Sequence, residues 1–201
     1  MAYSNFTIDN IEQKLGLELL SLPLNLDTKD ISPSERLKFD LQFADNQSIL
    51  TEKAKSEWIV IPILKELLVV NDFYFKVYSG STLNANPEKG LNGECDFILT
   101  KNVDKYGISH PILQIVEAKR GELEIGVPQC AAQLLGAKIF NENRGTKLEK
   151  IYGCITNGKL WKFLRLEGEK VSVDTEEYTL KNLPELLGAF QSIIDLSLIH
   201  I

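Results

Sequence analysis

Two hydrophobic periods alternate along this chain. A recurrence near 3.6 marks helices and strict alternation marks strands. From Thr51 to about Val70 the first period holds. Glu57, Ile61, Leu64 and Leu68 fall at spacings of four, three and four, so a helix capped by Thr51 places Glu57 on an otherwise apolar stripe. Pro62 inside it removes a backbone donor and predicts a kink. Phe73–Ser79 has strand composition, and the turn-rich stretch Gly80–Gly93 returns the chain. Cys95–Thr100 alternates, with Asp96 and Ile98 on one face and Cys95, Phe97 and Leu99 on the other. A polar connection, Lys101–Pro111, leads to Ile112–Arg120, an apolar strand that carries charge at its end. Its face Leu113–Ile115 continues into Glu117 and Lys119.

A second helix is predicted to start at Val127 or Pro128 and to end near Asn143–Gly145. Gln129, Gln133, Gly136 and Phe140 form one stripe, and Cys130, Ala131, Ala132 and Ala137 are small enough for the helix to lie close on a sheet. Lys150–Thr156 and Lys159–Leu166 pair around Asn157-Gly158, a strong hairpin signal. Lys170–Asp174 is expected to add an edge strand, and Leu183–Leu198 closes as an amphipathic helix. Residues 1–50 read as an extension of short helices and loop: a helix capped by Thr7 or Asp9 as far as Leu15, loop over Ser21–Pro33, and a helix after Ser32 or Ser34. The main domain is 51–201, the whole forming a single domain. Helix, three strands, helix, two strands and helix predict an α/β fold with a mixed sheet between helices.

Composition narrows the chemistry. With 44% hydrophobic and 25% charged residues, 201 residues suffice for one ordinary globular core. No apolar run reaches the ~18 residues of a membrane span. Met1–Leu15 lacks a basic segment followed by an apolar one, so no secretory signal and a cytoplasmic location are expected. Cys95, Cys130 and Cys154 show no CxxC spacing and are expected as small core residues in a reducing compartment. With His110 and His200 as the two histidines, histidine-rich metal sites and most Ser-His or Cys-His designs are disfavoured. Trp58 and Trp161 are assigned to the core. The net charge of −6 argues against a general polyanion binder, but it is unevenly spread. Lys101–Lys170 holds 12 Lys/Arg against 8 Asp/Glu, leaving 10 against 20 elsewhere, so the basic centre fits a local polyanion site.

The charged end of Ile112–Arg120 has a partner in Asp96. Two neighbouring strands can bring Asp96 and Glu117 to one cation, and hard carboxylate oxygens suit Mg²⁺ or Mn²⁺. Lys119 is then placed to hold a water or to stabilise charge on a phosphate. Glu94, Glu122 and Glu124 read as solvated turn residues.

This ordered set, Glu57 on a helix, Asp96 on a strand and Glu117-Ala118-Lys119 on the next, resembles the signature of the PD-(D/E)XK nuclease superfamily. Gln129 and Gln133 resemble glutamines found on its following helix. The phrases Thr51–Glu57, Gly90–Phe97 and Val127–Cys130 are similar to those of a bacterial stand-alone family in that superfamily, and Asn157–Trp161 to a hairpin of type I restriction nuclease domains. Cys95 stands where the eponymous proline would be. The resemblance covers about Thr51–Leu166. It implies a restriction-endonuclease-like fold and a Mg²⁺- or Mn²⁺-dependent nuclease, with DNA expected over RNA and homodimerisation compatible. Asp96 and Glu117 are the implied metal ligands, Lys119 the charge stabiliser, Glu57 an auxiliary ligand or water-positioner, and Gln129 and Gln133 orienting or phosphate-contacting residues. The competing expectation is a catalytically silent module of the same fold that binds DNA or a protein partner in a defence or mobile-element system.

Overall fold

The computed structural model describes residues 2–29, 31–101, 106–119 and 121–199. Arg120, residues 102–105 of the connection before the central strand, and His200 lie outside the described residues. The N-terminal segment forms α1 (Ile8–Leu15), β1 (Glu18–Ser21) and α2 (Glu35–Asp45). A continuous helical rod follows, built of α3 (Glu52–Lys55), a π-helical turn (Ser56–Val60) and α4 (Ile61–Val70). Three strands come next: β2 (Phe75–Thr82), β3 (Glu94–Lys101) and β4 (Ile112–Ala118). Helix α5 (Val127–Glu142) leads to β5 (Lys150–Thr156), β6 (Leu160–Glu167), β7 (Lys170–Val173), β8 (Tyr178–Thr179) and α6 (Leu183–Ile199).

The strands make one mixed sheet in the order β1-β7-β6-β5-β4-β3-β2, with β8 beside β6. β4–β5 and β1–β7 pair in parallel, and the other pairs are antiparallel. Helices cover both faces. Gly153 of β5 faces α5, where a Cβ would come within 2.6 Å of Cys130 Sγ. Its neighbour Cys154 points the other way by strand alternation. On that side its partner Phe163 packs edge-on against Phe190 of α6, 4.9 Å between centroids. β4 is central and buried along its whole length, as its continuous apolar run requires. Among the described residues no helix is long and apolar enough to cross a membrane.

The structure departs from the sequence reading at four places. Asp72 and Phe73 adopt left-handed φ of 48° and 56° to turn the chain after α4, so the first strand of the hairpin begins at Phe75 and runs through Gly80 to Thr82. Residues 18–21, given no element above, form β1 outside β7, so β7 is not an edge strand. The single helix expected across Pro62 is interrupted by the π-helical turn, and Pro62 sits directly after it in the first turn of α4. The extra residue in that turn rotates Glu57 away from the apolar stripe of Ile61, Leu64 and Leu68, and it leaves Trp58 39% exposed against Phe43 rather than in the core. Trp161 is fully buried.

Residues 2–29 and 31–37 are woven into the same core, which contains Tyr3, Phe6, Ile11, Leu17, Leu24 and Leu37. Tyr3 lies against Gly136 of α5, where a Cβ would overlap its hydroxyl. The Leu24 N–H donates to Asp174 Oδ1 at 3.1 Å, and Glu66 of α4 accepts from the Ser34 N–H at 2.6 Å, Ser34 Oγ at 2.7 Å and Arg36 Nη2 at 2.8 Å.

Candidate active site

The antiparallel ladder of β3 and β4 pairs Ile98 with Ile115 and Phe97 with Val116. One residue further, Asp96 and Glu117 stand at its open end. Asp96 Oδ2 accepts the Ala118 N–H at 2.7 Å, which caps the last peptide of β4 and fixes the aspartate beside Glu117. Lys119 lies one residue past the strand, yet its N–H donates to the Thr156 carbonyl of β5 at 2.7 Å. It therefore keeps the strand's alternation, and its side chain turns back towards Glu117.

Glu117 is 3% exposed. Its Oε1 accepts from Lys119 Nζ at 3.0 Å and from Gln129 Nε2, and its Oε2 accepts from Gln133 Nε2 at 3.0 Å. Lys119 Nζ also donates to Gln129 Oε1 at 2.8 Å, which closes a ring of three side chains. The first turn of α5 is pressed onto β4 and β5 by its small residues, so its Gln129–Gln133 stripe points at the carboxylate. Burial pushes the Glu117 carboxyl up to about 7, and the Asp96 charge adds to this against the opposing pull of Lys119 and Gln133. Asp96 is also raised, first by burial; the Ala118 N–H and Lys119 work against this, while Glu52 and Glu94 add repulsion. Two carboxyls that resist ionising side by side form a site that gains from a cation.

Glu57 lines the cleft of about 450 Å³ beside Asp96, but its side chain is 56% exposed and pairs with Lys53 at 3.8 Å. Glu52, one turn earlier and in the same cleft, is the helical acid that acts electrostatically on Asp96. The sequence reading did not single it out, because a glutamate in a first helical turn breaks no pattern. Glu94 joins the cleft. Glu124 instead faces Lys162 at 3.8 Å, and Glu122 is exposed. A further missed contact is Lys55, whose Nζ donates to the Lys119 carbonyl at 3.2 Å and ties α3 to the end of β4. On the far side of Lys119 a second groove, about 570 Å³, opens between α1 and the turn before α5.

The donor set fits a hard divalent cation. Asp96 and Glu117 offer carboxylate oxygens, and Mg²⁺ characteristically takes one or two carboxylates while keeping waters and phosphate oxygens. Among the described residues no group of three or more His, Cys, Asp or Glu side chains is arranged to hold a metal ion. No protein-family model matches the chain, and no curated protein matches it significantly.

Proposed function

We propose that the chain is a metal-dependent nuclease of the PD-(D/E)XK type that hydrolyses phosphodiester bonds in DNA. The observation that carries this reading is the placement of Asp96 and Glu117 side by side at the end of two paired strands, with the Lys119 ammonium 3.0 Å from Glu117. Mg²⁺ or Mn²⁺, held by Asp96 and Glu117, would supply a Lewis acid and an acidified water at neutral pH. The chain's own residues do the remainder. Gln129 and Gln133 fix the Glu117 carboxylate, Gln129 and Glu117 hold the Lys119 ammonium in place, and that ammonium stabilises the negative charge gathering on the phosphate oxygens. Glu57 and Glu52 line the cleft beside Asp96, where either would orient a water.

A second reading draws on the same contact. The Lys119–Glu117 pair and the two glutamines satisfy the Glu117 carboxylate from within the protein, as a catalytically silent module that binds DNA or a protein partner would need. The two separate in one experiment. Purified protein is incubated with linear, circular and single-stranded DNA in Mg²⁺, Mn²⁺ or chelator. The nuclease reading expects cation-dependent cleavage that falls at least about a hundredfold in Lys119→Ala and Glu117→Ala with folding retained. Equal cleavage by wild type and Lys119→Ala, or none by either, leaves the silent module.

A further inference from the structure

The groove beyond Lys119 is continuous with the site but chemically unlike the cleft on the Asp96 side. That cleft is lined by four carboxylates, Glu52, Glu57, Glu94 and Asp96, with Lys53 among them. The far groove shares Lys119 and Gln129 with the site and is walled by Ile8 at the start of α1 and by Ile125 and Pro128 before and within α5. Ile8 is 59% exposed and Ile125 is 71% exposed. Two large aliphatic side chains left this exposed in the lining of one groove are a cost that a flat apolar ligand would remove. At about 570 Å³ the groove lies within the roughly 300–1,000 Å³ of small-ligand sites. Its lining includes Asp9 and also Glu124, which stands 3.8 Å from Lys162; both carboxylates repel phosphates and accept hydrogen bonds. Base amino groups on adenine, cytosine and guanine are donors of the matching kind, whereas thymine lacks one.

We propose that this groove is the subsite for an unstacked nucleobase flanking the phosphodiester held at Lys119, with Ile8 and Ile125 as its apolar walls and Asp9 as acceptor for the base amino group. The inference rests on the nuclease reading, whose phosphate position it uses. It deepens that reading by naming the substrate: a strand whose bases can leave the stack, as in single-stranded DNA, since extruding a base from a duplex also breaks its pairing and stacking. A nucleotide whose phosphate meets Lys119 must send its base to one side or the other, and the far groove is the side with apolar walls and with two carboxylates in its lining rather than four.

The test uses single-stranded oligonucleotides carrying one 2-aminopurine, an amino-bearing base that brightens when it unstacks, and the full-length protein. In chelator, binding is expected to raise the fluorescence. The Ile8→Ala/Ile125→Ala variant, whose changes are at the surface, is expected to lose that rise, and its affinity to fall by roughly tenfold. In Mn²⁺, a single abasic position moved along the strand is expected to slow wild-type cleavage only at the adjoining bond, by a similar factor, and to have no such effect in the variant. Asp9→Asn is expected to narrow the preference for adenine or cytosine over thymine at that position. Lys119-dependent cleavage with no fluorescence rise and a flat abasic scan overturns the subsite and leaves the nuclease standing. An Ile8-dependent fluorescence rise without any cleavage overturns the nuclease and supports the base-binding groove. Neither signal overturns both.

Discussion

Glu117 is almost out of reach of water, so its charge depends on side chains: Lys119 and Gln129 on one oxygen, Gln133 on the other. Gln133 is fully buried and, among the described residues, donates a side-chain hydrogen bond to Oε2. Gln133→Met keeps roughly the volume and removes the donor. Since outer-shell partners typically tune metal affinity by 10–100-fold, Mn²⁺ titrated calorimetrically into this variant is expected to bind about tenfold more weakly or worse, with the fold intact. Unchanged affinity would mean that the amide serves packing alone. The pair Asp96–Glu117 was readable in the sequence because a charged residue ending an apolar strand is conspicuous, and alternation gives its face. Glu52 was not, because a glutamate in a first helical turn breaks no pattern and only the fold brings it into the cleft with Asp96.

Elements lock to one another through a few such contacts. Gly136 sits midway along α5 because Tyr3 crosses it, so Gly136→Ala is expected to cost about 1–3 kcal/mol in chemical denaturation from overpacking. Tyr3→Phe, which deletes a buried hydroxyl without a partner among the described residues, is expected to recover part of that loss in the double variant. Glu66 fastens α2 to α4. Burial raises its carboxyl, but the Ser34 and Arg36 hydrogen bonds together outweigh this and hold it below the ordinary carboxylate value. A depressed folded pKa means that the stabilisation is complete above the unfolded value of about 4.3 and is lost as pH falls through the folded one. Glu66→Gln is therefore expected to be less stable than wild type at pH 7, and the gap to close in acid, read from thermal melts across pH 2–7. The helices, the central strands and the Asn157-Gly158 hairpin were legible because period and turn chemistry are local. The parallel pairing of β1 with β7 was not: four residues, half-buried between exposed ends, carry too short a pattern, and their partner lies about 150 positions away.

At the scale of the whole molecule, the same long-range contacts decide whether residues 1–50 can be removed. Read as sequence, they extend a domain that begins at Thr51. In the fold, Tyr3, Phe6, Ile11, Leu17, Leu24 and Leu37 are buried in the single core, β1 covers the outer side of β7, and the Tyr3 N–H donates to the Asn92 carbonyl of the β2–β3 loop at 3.0 Å. Burial of one such side chain stabilises by about 1.5–3 kcal/mol, so six are worth on the order of 10 kcal/mol before the entropy of ordering the segment is subtracted. That gross figure is comparable with the 5–15 kcal/mol that typically separates folded from unfolded domains. A chain starting at Thr51 is therefore expected to lack a cooperative thermal transition by circular dichroism and to elute as aggregate, because its exposed β7 edge also invites pairing between copies. The same segment supplies Ile8 and Asp9 to the groove beside Lys119, so the fragment loses that wall of the groove along with its stability. If the fragment instead melts cooperatively and cleaves DNA like the full chain, the N-terminal segment is an appendage in both respects, and the base-binding groove falls with it.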